Sequence, residues 1–597
     1  NFGTLVFRED CPGVGIGGPH RSGSDIVWTM IARGEQTDQL RAAAAIRTPA
    51  GDAELEAPFT GADPTTATLI AEDAWRADTS VWRRASVTLG ETTVYDGLPL
   101  VCDASSLRPP RPETPTPVVL ENDSVALTFD RNTGRLLAIE NHETDLSISF
   151  GPAGAPVAEL ETVRFLHNPR FFEDENVQLV VLDFDTLQDL SVSESEEGDR
   201  ITMRHRIEHG IDLTLTVTVP PTGCETQWDI ALDNRLTTRP SKSLVVHRVR
   251  YPHLPSLPES ICGEEPYAVV PSTMGQRIPE PGLNLGPNTR YPYIGPTTMG
   301  WFDYYGADGG LYFKVGETGR MPQTDLILRS DPETREVELG IERWALCWPG
   351  QKWEPGPCGV APHAGDWHRA ADLYREWFRD TFALRESPEW LREAQGYVMS
   401  GSSGYEFGQL PRILENAKAI GISYIELWSE MTGGDISYHA YGFPNPYMGT
   451  EKDLRQAVRE LHRSGGHMGG YLNYNTGDPL LGTFVRQPRV AQKIPQDVPR
   501  PALDYMADNW VQQSLMDHAG GYSMWSSTVP GYLDDYWNQC PAADKWTGLY
   551  KYWVVDKWAK DYGIDVWYLD SCPVSRGSPC FASNHGHKDP QPEGQAI

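Results

Sequence analysis

The chain of 597 residues is long enough for three or four domains, and its 39% hydrophobic content suffices for several cores. It carries 82 acidic against 51 basic residues, a formal net charge of −31 that repels phosphate backbones and excludes nucleic-acid binding through a basic patch. No stretch approaches the roughly 18 uninterrupted apolar residues of a membrane span, and a neutral polar substrate suits such a surface better than an anionic one.

The chain opens on Asn1-Phe-Gly-Thr-Leu-Val-Phe, with no basic region ahead of an apolar run, so a leader is expected to be absent or already removed. Residues 1–107 hold short runs such as Ala85-Ser-Val-Thr-Leu and Thr92-Thr-Val-Tyr between turn formers, which predicts a β-rich module. Residues 108–117, Arg-Pro-Pro-Arg-Pro-Glu-Thr-Pro-Thr-Pro, read as a stiff linker, because proline fixes φ and supplies no ladder donor.

From 118 to 362 the period is again two. Val125–Phe129 and Arg135–Ile139 flank the turn 130–134, Gln178–Phe184 alternates, and Leu213–Val219 places Leu or Val at every other position with Thr between. These runs predict one large β-sandwich. At 363–395 the period shifts: Asp366 can cap a helix in which Trp367, Ala370, Ala371, Tyr374, Trp377 and Phe378 share a face.

Strands and helices then alternate. The predicted strands are Gly396–Ser400, Tyr424–Trp428, Met468–Leu472 and Asp565–Leu569. Ile413, Leu414, Ala417 and Ile420 mark the first helix, and Thr450 with Asp453 forms a near capping box for the second, which Gly465 stops. After a long insertion at 477–539, a third helix carries Trp546, Leu549, Tyr550, Trp553 and Val554 and stops at Gly563. Four successive βα steps predict a parallel sheet, here the first half of a (β/α)8 barrel, since only 571–597 follow the fourth strand. The expected fold is multidomain: β-sandwich modules followed by an α/β barrel portion. An open α/β sheet is the alternative.

In a barrel, chemistry gathers where strands end. Those ends offer Ser400, Ser402 and Glu406, then Trp428, Glu430, Asp435 and His439, then Asn473, Asn475 and Asp478, and finally Asp570. Acids and amides bind hydroxyls and aromatic faces stack on C–H faces, so such a mouth suits a sugar. Asp570 directly follows an apolar strand and can serve as a nucleophile at an anomeric carbon, with a second carboxyl about 5 Å away as acid and base. Capping the following loop is its equally weighted structural role. Glu430 suits substrate hydroxyls, the partner acid or an exposed loop; Asn475, before Thr476-Gly477, also suits a turn. The insertion carries Trp510, Tyr522, Trp525, Tyr532, Tyr536 and Trp537 with Asp534 and Asp535, a set better suited to its own small core than to sugar subsites. Cys572, Cys580, His585 and His587 match no common zinc spacing, so no metal or cofactor is expected, and His585 and His587 are placed at the barrel mouth.

Several segments carry a resemblance. Phe129-Asp-Arg-Asn-Thr-Gly-Arg-Leu, Gly365-Asp-Trp-His-Arg-Ala-Ala-Asp-Leu-Tyr-Arg-Glu-Trp, Pro446-Tyr-Met-Gly-Thr-Glu-Lys-Asp-Leu and Asn584-His-Gly-His occur in one order along 118–597. Together they resemble DUF6259-type glycosidase-like proteins, related to the clan of α-galactosidases and endo-α-N-acetylgalactosaminidases. The resemblance implies a galactose-mutarotase-like supersandwich before the barrel and a retaining hydrolase of α-linked sugars. It implies a nucleophile at Asp570, followed here by Ser571-Cys572 where the clan often has Gly-Cys. Tyr568 stands where the clan commonly has a sugar-binding Lys, and a second-strand acid, here Glu430, would bind hydroxyls. The clan's acid/base lies on a later strand, expected beyond Ile597. The expected partner is an oligo- or polysaccharide or glycoconjugate, at an extracellular or cell-surface location, with the cytoplasm left open. A catalytically inactive carbohydrate-binding or surface-assembly protein is the competing expectation.

Overall fold

The computed structural model describes residues 13–16, 20–22, 25–33, 40–48, 51–60, 65–71, 81–89, 92–97, 114–144, 146–164, 177–207, 210–235, 244–319, 322–383, 385–400, 405–428, 430–431, 442–473, 476–477, 524–526, 535–540, 543–570, 580 and 582. Two compact units are formed, 1–113 and 114–597. The first unit is all antiparallel. One sheet joins Gly13–Ile16, His20–Ser22, Asp25–Arg33 and Thr65–Ala71; the other joins Leu40–Thr48, Gly51–Pro58, Val81–Leu89 and Thr92–Gly97.

The second unit begins with three antiparallel sheets of four, six and ten strands. Their alternation decides the packing. In Ile211–Val219 the apolar residues are buried and the Asp and the first two Thr between them only half-buried, as a strand with one face on a core must be. Each sheet sends one ring to a shared contact: Trp228 of the ten-stranded sheet lies 6.2 Å from Phe129 of the four-stranded sheet and 5.6 Å from Tyr251 of the six-stranded one. Around them Leu127, Leu215, Val217, Leu254, Leu339 and Ile341 form one continuous core. The six-stranded sheet's other face is ionic. Glu342, fully buried, accepts from Arg250 and Arg290 at 2.7 Å each. Such pairs favour register more than stability, because both charges are desolvated.

The sandwich hands over to the α/β part through the strand Cys358–His363 and the helix Trp367–Thr381. Asp366 caps this helix by accepting from the His368 N–H at 3.1 Å. Tyr374 packs 6.3 Å from Trp301, and the Lys314 ammonium sits 4.6 Å over Trp377 while pairing with Glu225. At the hinge of this connection lies a buried couple. His363 Nε2 is 2.9 Å from Asp303 Oδ1, and its Nδ1 is 3.2 Å from the Ala364 carbonyl. Both nitrogens face acceptors, an arrangement that favours the doubly protonated ring. Burial disfavours that charge, but Asp303 outweighs it and the His363 pKa is raised. Gly310 lies directly beneath, where a Cβ would collide with the ring.

Four parallel strands follow in chain order: Val398–Ser400, Tyr424–Leu427, His467–Asn473 and Val566–Asp570. Helices Leu410–Lys418, Glu451–Arg463 and Asp544–Tyr550, the last continued by the π-helical run Lys551–Tyr562, lie between them. Thr450 and Asp453 make the predicted reciprocal cap, and Gly465 and Gly563 end their helices with φ of +72° and +87°. The first helix ends earlier than its periodicity suggests: Ile420 lies past the C-cap at Ala419 and is 75% exposed. The insertion builds a small antiparallel sheet from Thr476–Gly477, Met524–Ser526 and Asp535–Asn538, and most of its other residues lie outside the described ones. The chain is thus mostly β-sheet with few helices, and none among the described residues is long and apolar enough to cross a membrane.

The His363–Asp303 couple yields a prediction. A raised folded pKa gives a contribution that is complete below about pH 6.5 and lost as pH rises through the folded value. Asp303→Asn should cost about 3 kcal/mol, since it leaves the buried imidazole without its carboxylate partner. Thermal unfolding measured from neutral to alkaline pH should show the variant starting lower and losing less than the parent. Equal midpoints and slopes would contradict the assignment.

Candidate functional site

The second parallel strand sets the geometry. In Tyr424-Ile-Glu-Leu-Trp428 alternation sends Ile425 and Leu427 to one face and Tyr424, Glu426 and Trp428 to the other. Ile425 and Leu427 join Met468, Leu472, Leu414, Leu454, Val458, Leu461 and Trp546 in one core, so the helices cover that face. The opposite face is aromatic. Trp428, Tyr471 and Tyr568 stand level on three adjacent strands and their rings pack as a triangle, with centroids 4.8 Å apart for Trp428–Tyr471, 5.4 Å for Trp428–Tyr568 and 5.7 Å for Tyr471–Tyr568. Tyr471 is 3% and Tyr568 39% exposed, so the row opens toward the fourth strand.

Beneath this row sits Glu426, 4% exposed. Its Oε1 accepts from the Trp428 indole N–H at 2.6 Å and its Oε2 from the Tyr424 hydroxyl at 2.8 Å. Burial, and then the Glu426 oxygen it donates to, push the Tyr424 hydroxyl pKa up, so this phenol stays a donor. Gly469 faces Tyr424 across the strand pair, and a Cβ there would overlap the hydroxyl. The sheet's other end, where strands begin, is closed: Trp390 stacks on His467 with centroids 3.7 Å apart and planes at 9°.

Asp570 is the last residue of the fourth strand, and its backbone lies in register with Asn473 at the end of the third. Two anticipated polar residues thus come side by side, one strand layer beyond Tyr471 and Tyr568. Glu430 is placed differently. It is fully buried, and its Oε1 lies 2.7 Å from where a Gly470 Cβ would be, next to Trp567. Gly470 pairs with Leu427 and Trp567, so Glu430 lies on the helix-covered face rather than beside Trp428. Glu406 is exposed and caps the turn Phe407–Gln409 in a reciprocal box with Gln409. Asp435, Asn475, His585, His587, His439, Asp478, Ser402 and Cys572 lie outside the described residues. Among the described residues no group of three or more His, Cys, Asp or Glu is arranged to hold a metal ion.

The residue that strand-end reasoning passes over is Glu426. Its signal was present: an acid two residues before Trp428, on the face opposite Ile425 and Leu427. Gly469→Ala tests this arrangement, because the new methyl group must displace the Tyr424 hydroxyl from Glu426. A loss of about 1–3 kcal/mol in thermal or denaturant unfolding is expected, smaller in the Tyr424→Phe background. Equal losses in both backgrounds would show that the hydroxyl is not the obstacle.

Residues 355–494 match the model of a family described as a domain of unknown function, DUF6259. Among solved structures, the α-N-acetylgalactosaminidase NagBb from Bifidobacterium bifidum, as a quadruple mutant, aligns with a TM-score of 0.51 and 15% identity over 80% of this chain and 74% of that one. Its GalNAc complex aligns with a TM-score of 0.52 and 14% identity over 80% and 73%. An α-galactosidase from Lactobacillus brevis is a looser match, with a TM-score of 0.46 and 10% identity over 76% and 63%. No curated protein matches the chain.

Proposed function

We propose that this DUF6259-type protein, glycosidase-like and related to the clan of α-galactosidases and α-N-acetylgalactosaminidases, is a retaining glycoside hydrolase acting on α-linked sugars, with Asp570 as nucleophile. The observation that carries the reading is the register of Asp570 with Asn473, at the ends of adjacent parallel strands and one layer beyond an aromatic row. Support for a barrel portion comes from strand order. Four strands pair in chain order and their helices bury one face, whereas a doubly wound sheet reverses order and covers both faces. Support for an α-linked substrate comes from the shared fold with a protein described as an α-N-acetylgalactosaminidase.

The chemistry is a double displacement. The Asp570 carboxylate attacks the anomeric carbon as the aglycone oxygen departs with a proton from a second carboxyl group. Water then attacks the glycosyl-enzyme ester, giving its proton to that same carboxyl group and freeing Asp570. Asn473, in backbone register with Asp570, would hold a ring hydroxyl, and the aromatic rings would bear on a C–H face of the sugar.

Hydrolysis of aryl α-glycosides of galactose, N-acetylgalactosamine and glucose tests the reading. Asp570→Asn should lower kcat by at least roughly a thousandfold without changing the unfolding midpoint by more than a few degrees. The first product seen by NMR should keep the α configuration. Turnover surviving in the variant, or an inverted first product, would sink the assignment. Sugar binding with no turnover in the parent would favour the inactive carbohydrate-binding alternative.

A further inference from the structure

We propose that Trp428 and Tyr568 form the stacking platform for one pyranose ring, with Tyr471 buried behind them, and that Glu426 is a positioning residue that fixes the Trp428 indole in it. The inference rests on the glycosidase reading only for the identity of the ligand as a sugar.

An indole on a strand end turns readily about its terminal side-chain torsion, whose energy well is broad. Here its N–H is tied to Glu426 Oε1 at 2.6 Å, and the carboxyl group is itself held by Tyr424 through Oε2. Both Glu426 and Tyr424 are at most 5% exposed, so neither tie is exchanged freely with water. Tyr471 and Tyr568 lie nearly parallel, at 15°, and Trp428 is tilted by 33° to each. The three rings thus pack on one another, with Tyr471 buried behind and Tyr568 the most exposed member. Successive residues rise about 3.3 Å along a strand, so the row lies about 6.6 Å below the strand-end level of Asn473 and Asp570. Nothing in the row is charged, so it selects for an apolar ring face rather than for a particular hydroxyl pattern.

The test uses the full chain labelled with 5-fluorotryptophan, the Trp428 fluorine signal being assigned by its loss in Trp428→Phe. Titration with N-acetylgalactosamine, galactose and glucose should shift that signal with at least one of them. Glu426→Leu should move the signal in the free protein and weaken binding about tenfold, whereas Glu426→Gln, whose amide oxygen still accepts the indole N–H, should restore both. A Trp428 signal unmoved by all three sugars overturns the platform. Parent-like affinity in Glu426→Leu overturns the positioning role. Should Glu426→Leu fail to fold, Glu426→Ala takes its place: unchanged affinity overturns the role and about tenfold loss supports it. Repeating the titration in Asp570→Asn separates the two readings, since binding here does not depend on turnover.

Discussion

The two-residue alternation of the second parallel strand is the constraint on which the candidate site depends. A strand cannot turn neighbouring side chains to the same side, so burying Ile425 and Leu427 under helices compels Tyr424, Glu426 and Trp428 onto the other face. In parallel pairing, residues opposite each other share a face, and Tyr471 and Tyr568 follow Trp428. The hydrophobic demand of the helices thereby composes the aromatic row. A buried carboxyl group in that row is tolerated because two donors meet it.

The same logic holds the larger sandwich together. Trp228, Phe129 and Tyr251 come from three different sheets, and large rings can span the roughly 10 Å between packed sheets where aliphatic side chains need several layers. The junction to the α/β part is polar at its centre, with His363 hydrogen-bonded to Asp303 and the helix Trp367–Thr381 clamped by Lys314 over Trp377. Charge and hydrogen bonding dictate orientation more narrowly than apolar contact does, which suits a connection that must aim one layer of structure at another.

Much of the element pattern was legible in the residues. Four parallel strands lie within two residues of the predicted runs, and the caps at Asp366 and Thr450 form as their chemistry requires. Ile420 was read as helical from its spacing, yet the helix ends before it, because apolar spacing alone does not mark where a core stops. Glu430 was grouped with Trp428 by distance along the chain. The strand ends at Leu427, so Glu430 is not bound by its alternation, and the side chain lies beside Gly470 and Trp567 instead. Glu426 was hidden for the opposite reason: it lies inside a strand, where an acid draws less notice than one at its end.

By itself the sequence determined the local features, where a few neighbouring residues suffice: strand and helix periods, caps, helix stops and the place of Asp570 at a strand end. The tertiary structure alone decided which groups meet. Asp303 and His363, Glu426 and its two donors on one face, Trp228 between two sheets and Asn473 level with Asp570 all depend on sheet register or on packing between distant segments. Short-range periodicity carries no record of those choices. They are set by the global requirement that each apolar face be covered and each buried polar group be met.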